Sequence, residues 1–236
     1  MNEPIKTLLF DFGGTLDADG VAWKERFYAL YRAEGLDMAG TDFEPAFYAA
    51  DAPLVGRLSS TTDLSGTVHA LTANLEAELA RRGIESDGTR KESDRGRRVA
   101  SSFLSEATAT FERNRPVLRA LSERYQLGVV SNFYGNLKAV CESAGLCPFF
   151  RAMVDSWCVG AEKPDPAIFH AALGRLGATP ERTAFVGDSL LRDREGARRV
   201  GMRFIWVAPK SVQDGRGEQQ AEFAVTNLCD LLKILR

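Results

Sequence analysis

Apolar positions along the chain follow two rhythms. Short continuous runs recur at residues 5–10 (Ile-Lys-Thr-Leu-Leu-Phe, apolar but for two positions), 127–130, 152–154, 183–186 and 204–207, with a weaker one at 223–225. Apolar runs this short, stopped by Gly or polar residues, are the mark of strands buried on both faces, as in a parallel sheet. Between them, 136–144, 166–176 and 192–200 read as helices. Strands alternating with single helices predict an α/β fold, a doubly wound parallel sheet with right-handed crossovers and a Rossmann-like core.

The stretch from about 21 to 105 breaks that rhythm. It holds no convincing strand, but Trp23, Phe27, Leu30 and Tyr31, and later Val68, Leu71, Leu75 and Leu79, fall at helical spacing. The second stripe closes on Arg81-Arg82-Gly83, a cationic last turn with a glycine stop. The expectation is a helical cap inserted over residues 18–105, with the core domain built from 1–17 and 106–236. The mixed-sign run 90–98 reads as a solvated helix face or linker.

Composition narrows the chemistry. A length of 236 residues suits one α/β domain carrying a smaller insertion. A net charge of −2 gives no sign of a nucleic-acid or anionic-membrane partner. No apolar run reaches the ~18 residues of a membrane span, and the first residues lack a signal-peptide layout. Cys141, Cys147, Cys158 and Cys229 form no CxxC pair, so they are expected as reduced thiols in a cytoplasmic protein. With only His69 and His170, both read as structural, a His-based triad or multi-His metal site is nearly excluded. Chemistry must rest on carboxylates, Lys, Ser or a bound ion.

Ligands of open parallel sheets bind beyond the carboxyl ends of the strands. At those ends the chain places Asp11 with Gly13-Gly14-Thr15, then Ser131-Asn132, then Lys163-Pro164-Asp165-Pro166, then Gly187-Asp188-Ser189 with Asp193 five residues beyond Asp188. Asp165 before Pro166 is a helix N-cap, and Trp23 shares an apolar stripe with Phe27. The remaining carboxylates, hydroxyl, ammonium and glycine-freed amides suit a phosphate group and a hard divalent cation.

This set resembles the haloacid dehalogenase (HAD) superfamily, in the branch with a helical cap after the first strand. The matching segments are Asp11-Phe12-Gly13-Gly14-Thr15-Leu16, Val129-Val130-Ser131-Asn132, Lys163-Pro164 and Val186-Gly187-Asp188-Ser189 with Asp193, then Gly196-Ala197 and Gly201-Met202. The resemblance implies that Asp11 is a nucleophile forming an aspartyl-phosphate, that Ser131 holds the phosphoryl group, and that Lys163 links that group to the nucleophile. It also implies phosphate binding by Gly14, Thr15, Ser131, Asn132 and Lys163. Mg²⁺ would be held by Asp11, the Gly13 carbonyl and Asp188, with Asp193 acting through water or orienting the site. The implied activity is Mg²⁺-dependent hydrolysis of a small phosphorylated metabolite.

One position departs from the family. Where its phosphatases carry Asp two residues after the nucleophile, as general acid and base, this chain has Gly13. Such a group contributes ~10²–10⁴-fold. Three explanations stay open: a substrate with a good leaving group, a substitute carboxylate such as Asp17 or Asp19, or a member that binds phosphorylated ligands with weak turnover. Hydrolysis of 2-haloacids is a further alternative, though the dehalogenase branch needs no Mg²⁺.

Overall fold

The computed structural model describes residues 3–84, 94–216 and 223–235. All six apolar runs are strands: β1 (Thr7–Phe10), β2 (Gln126–Ser131), β3 (Ala152–Asp155), β4 (Thr183–Gly187), β5 (Arg203–Val207) and β6 (Phe223–Val225). They form one parallel sheet in the order β3-β2-β1-β4-β5-β6. The fold is therefore the doubly wound α/β architecture that the alternation predicts. Every residue of β1 and β4 is buried, because helices cover both faces. Leu8 and Phe10 pack into one apolar layer and Leu9 into the other, the two-residue alternation of a strand.

Among the described residues, four helices lie between β1 and β2: α1 (Trp23–Ala33), α2 (Gly40–Asp51), α3 (Leu64–Arg81) and α4 (Asp94–Ser122). The two predicted stripes are buried on α1 and α3, with Leu30 partly so. Beyond β2 come α5 (Leu137–Ser143), α6 (Ser156–Val159), α7 (Pro166–Leu176), α8 (Glu195–Arg199), α9 (Lys210–Arg216) and α10 (Leu231–Ile234). Helix α7 occupies its predicted span. Asp165 caps it by accepting from the Ala167 N–H, and Gly177, at φ 60°, ends it. His170 faces solvent on α7, and the four cysteines are unpaired. No helix among the described residues is long and apolar enough to cross a membrane.

One expectation changes. Residues 90–93 lie outside the described residues, and the rest of the charged run opens α4. Arg95 there is not solvated but buried, paired through two hydrogen bonds of 2.9 and 3.0 Å with the equally buried Glu76 of α3. A buried charge is tolerable when a partner satisfies it this fully. Helix α4 runs without interruption from Asp94 to Ser122, across residues 105–106. Its early residues Val99 and Phe103 and its late residues Leu118 and Leu121 belong to one continuous core that also includes Phe10 and Val129.

Register positions the site. Phe10 pairs with Val129 on one side and Val186 on the other. The ends of β1, β2 and β4 are thus level, and Asp11, Ser131 and Asp188 leave the sheet at one edge.

Candidate active site

The four strand-end segments meet around Asp11, which is 8 % exposed. Its Oδ1 accepts three hydrogen bonds of 2.7 Å, from Ser131 Oγ, Lys163 Nζ and its neighbour's amide at Phe12. No donor among the described residues reaches Oδ2. One oxygen is held and the other is left open.

Lys163 Nζ also reaches Asp193 Oδ1 at 2.7 Å. Asp193 Oδ2 accepts from the Ser189 N–H at 3.0 Å. Gly187 makes this fold-back possible, since a Cβ there would stand 2.3 Å from Asp193 Oδ2. Asp188 Oδ1 accepts from Thr15 Oγ1 at 3.1 Å. Its carboxylate also rests against Gly14, whose φ of 84° and 2.7 Å clearance both call for glycine. From β5, Trp206 Nε1 donates to the Asp188 carbonyl at 2.9 Å and fixes the loop after β4.

Oxygens of Asp11, Asp188 and Asp193 lie within 4.8 Å of one another. Among the described residues, three carboxylates thus gather at one ammonium, two of them in direct contact with it. Burial and the charges of Asp193 and Asp11 push Asp188 well above the usual carboxylate range, against weaker opposition from Lys163 and Thr15. Asp193 is pushed up to about 6, with burial ahead of the opposing Lys163. Burial alone would lower Lys163, but Asp11 and Asp193 outweigh it and keep the ammonium charged. The cluster is short of positive charge. Hard carboxylate oxygens at this spacing fit a divalent cation such as Mg²⁺.

The residues expected at the phosphate have these partners within the protein. Ser131 and Lys163 converge on Asp11, but Asn132 spends its side chain on Lys163, donating to the Lys163 carbonyl (3.1 Å) and accepting from its N–H (2.7 Å). The Thr15 hydroxyl faces Asp188, and the Gly14 amide donates to Asp17 Oδ1 at 2.7 Å. Gly13 lies alongside Trp23: a Cβ there would stand 3.3 Å from the indole Cδ1 and Nε1, and φ is not left-handed.

The two candidate substitute acids are taken up elsewhere. Asp17 is fully buried and accepts from Trp23 Nε1 (2.7 Å) and Arg26 Nη1 (2.8 Å). Asp19 pairs with Arg113 of α4 at 2.6 Å. Residues 17–20 are tied down as well: the Gly20 amide donates to the Gly14 carbonyl, and a Cβ at Gly20 would stand 2.4–2.8 Å from the backbone of Val207 and Ala208. The pairing of Arg26 with Asp17 and of Trp206 with the Asp188 carbonyl escapes sequence reasoning. A buried indole N–H needs an acceptor, but its choice is made by the fold.

The helical segment reaches the site through the loop after β2. Tyr134 donates a short hydrogen bond to Asp51 at the end of α2, and its carbonyl accepts from the Gly56 N–H. Asn136 Nδ2 donates to the Thr62 carbonyl and to Thr67 Oγ1. Burial pushes the Asp51 carboxyl up, against the pull of Tyr134 and of Arg192 from the turn after Asp188.

A family profile described as a haloacid dehalogenase-like hydrolase matches residues 5–201. The haloacid dehalogenase-like hydrolase domain-containing protein 3 of Bos taurus is 45 % identical over 83 residues, 35 % of this chain and 33 % of the relative. The glyceraldehyde 3-phosphate phosphatase of Methanopyrus kandleri is 36 % identical over 95 residues, 39 % of this chain and 41 % of that protein. The matched parts thus span a third to two-fifths of these two curated relatives. A putative HAD-hydrolase of Bacillus subtilis, solved bound to magnesium, superposes with a TM-score of 0.59 at 20 % identity, covering 99 % of both chains. That likeness shows the fold.

Proposed function

Because the chain belongs to the haloacid dehalogenase-like hydrolase family, we propose that it is a Mg²⁺-dependent phosphatase acting on a small phosphorylated metabolite through Asp11. The observation that carries this reading is the asymmetry at Asp11: three donors on Oδ1 and, among the described residues, none on Oδ2, inside a carboxylate cluster short of positive charge.

In this reading Oδ2 attacks phosphorus, the ester oxygen leaves, and an aspartyl-phosphate forms. Water then attacks the acyl phosphate and regenerates the carboxylate. Splitting the displacement this way replaces one hard step by two easier ones. Ser131 Oγ and Lys163 Nζ, already at the nucleophile, exchange or share their bonds with the phosphoryl oxygens as charge builds there. Asp193 holds Lys163 in place, and Asn132 fixes the Lys163 main chain. Asp11, Asp188, Asp193 and the Gly13 carbonyl are the groups that would hold Mg²⁺. Bound there, the ion would offset the repulsion between nucleophile and phosphoryl group. The helices between β1 and β2 serve as the cap, and substrate selectivity lies in their contact with the loop after β2. The relatives named as phosphatases support the choice of phosphate chemistry, and the free thiols fit a cytoplasmic setting.

Gly13 favours a second reading, phosphorylated-ligand binding with weak turnover, because no side chain stands where the family's acid does and Trp23 covers the place. A panel of phosphorylated metabolites, assayed with and without Mg²⁺, separates the two. Mg²⁺-dependent phosphate release, lost in Asp11→Asn, is expected. Ligand binding without release would support the second reading, and chloride release from 2-haloacids instead would overturn both.

A further inference from the structure

Asp17 is a fully buried carboxylate that the proposed hydrolysis does not use. It meets three donors: the Gly14 amide on Oδ1, and Trp23 Nε1 and Arg26 Nη1 on Oδ2. Arg26 is held in turn by α4. Its guanidinium lies 3.8 Å from the centre of the Phe103 ring, and Nη2 donates to the Phe103 carbonyl at 3.2 Å. Asp17 thus joins three parts of the chain, the turn after β1 and two helices of the insertion.

This junction anchors the surface under Asp188. Gly14 is packed so closely to the Asp188 carboxylate that a Cβ would stand 2.7–2.9 Å from its atoms, and Thr15, the next residue, donates to Asp188 Oδ1. Asp17 holds Gly14 from the opposite side, through its amide. Any shift of that turn moves the support of Asp188. We propose that Asp17 is a positioning residue: by accepting from the Gly14 amide it fixes the turn that sets the Asp188 carboxylate, and so supports Mg²⁺ affinity from outside the metal site.

This inference rests on the proposed Mg²⁺ site, and its test keeps the two separable. Asp17→Asn/Arg26→Met removes the buried charge pair but leaves an acceptor for Gly14, whereas Asp17→Leu/Arg26→Met replaces the pair with apolar side chains and leaves none. Buried ion pairs tolerate such neutral replacement, so the two doubles differ chiefly in that acceptor. With folding verified by circular dichroism, calorimetry should find Mg²⁺ affinity within about threefold of wild type in the first double and at least about tenfold weaker in the second. Equal affinities in the two doubles would overturn the proposal.

A wild-type readout covers the case in which the apolar double fails to fold. The chain has three tryptophans, and their indole N–H signals are assigned by Trp23→Phe and Trp206→Phe. Trp206 donates to the Asp188 main chain and reports occupancy of the site directly. The Trp23 signal should shift along the same Mg²⁺ titration. A Trp206 signal that moves while Trp23 stays fixed would overturn the proposal. Two unmoved signals, with no heat of binding, would overturn the Mg²⁺ site itself.

Discussion

The carboxylate of Asp17 and those of Asp11, Asp188 and Asp193 are held by loops packed against one another, yet their charges are handled differently. Asp17 faces one guanidinium and two neutral N–H donors, a set that balances one negative charge. The strand-end cluster gathers three carboxylates about a single ammonium. Burial is comparable for Asp17 and Asp193, both fully covered, so burial does not distinguish a working site from a structural pair. Charge count does. The balanced pair needs nothing more, and the unbalanced cluster has room for a cation.

The two centres should respond oppositely when a charge is removed, and the largest difference is in turnover. Asp11→Asn should lower phosphate release by at least about 10³-fold, since the covalent route is lost, while the fold survives. Steady-state kinetics beside a melting curve checks both halves.

Stability comes next. Asp17→Ala strands the Gly14 amide, the Trp23 indole and Arg26 without their acceptor, and should cost about 3–5 kcal/mol. Asp188→Asn removes a charge the metal-free cluster cannot balance. It should leave the metal-free protein more stable by about 1 kcal/mol, about 2–4 °C in melting temperature at this size, while Mg²⁺ binding is lost. Both variants melting lower without metal would erase the contrast between the centres.

The pH dependence runs the same way at both centres, since burial raises Asp17 too, so only its response to Mg²⁺ separates them. Folding raises Asp188 and Asp193 above the ordinary carboxylate value of 3.8, Asp193 to about 6. The folded protein then binds more protons than the unfolded chain between those values, so this contribution to stability falls as pH rises through that window. Mg²⁺ favours the ionised forms and should flatten or reverse the slope. Melting temperatures from pH 4 to 7, with and without Mg²⁺, would show it, and Asp188→Asn should weaken the metal-free slope.

The smallest effect concerns Gly13. Its backbone is compatible with a side chain, but the 3.3 Å approach to Trp23 requires the indole to yield slightly. Gly13→Asp should speed phospho-enzyme formation from alkyl phosphates by up to ~10²-fold and from aryl phosphates less, because an aryl leaving group needs no proton. Single-turnover measurements on both substrates decide it. Equal or absent acceleration would mean that a missing proton donor is not what limits the protein.

The sheet was legible because its strands are buried on both faces and so read as unbroken apolar runs. Helix α7 was legible because Asp165, Pro166 and Gly177 are local signals. Helix α4 was not, since Pro116 and the Arg-rich start resemble breaks, and its continuity is stabilised by packing against α1, α3 and β2. At the site, the strand-end residues could be read from position alone. Their directions could not: the Thr15 hydroxyl is set by Asp188, 173 residues away in sequence, and Asn132 by the main chain of Lys163. Arg26 lies on a helix whose sequence reads as amphipathic, and only tertiary packing brings it to Asp17.

The central claim is that the strand-end cluster lacks positive charge and is completed by a divalent cation. Calorimetric titration of the metal-free protein with Mg²⁺ at pH 6, in two buffers of different ionisation enthalpy, tests it most directly. The account predicts binding of Mg²⁺ at one site with release of protons, because Asp193, pushed up to about 6, is partly protonated there before the ion arrives, and Asp188 is raised in the same direction. Binding with no proton release, or no binding at all, would contradict it.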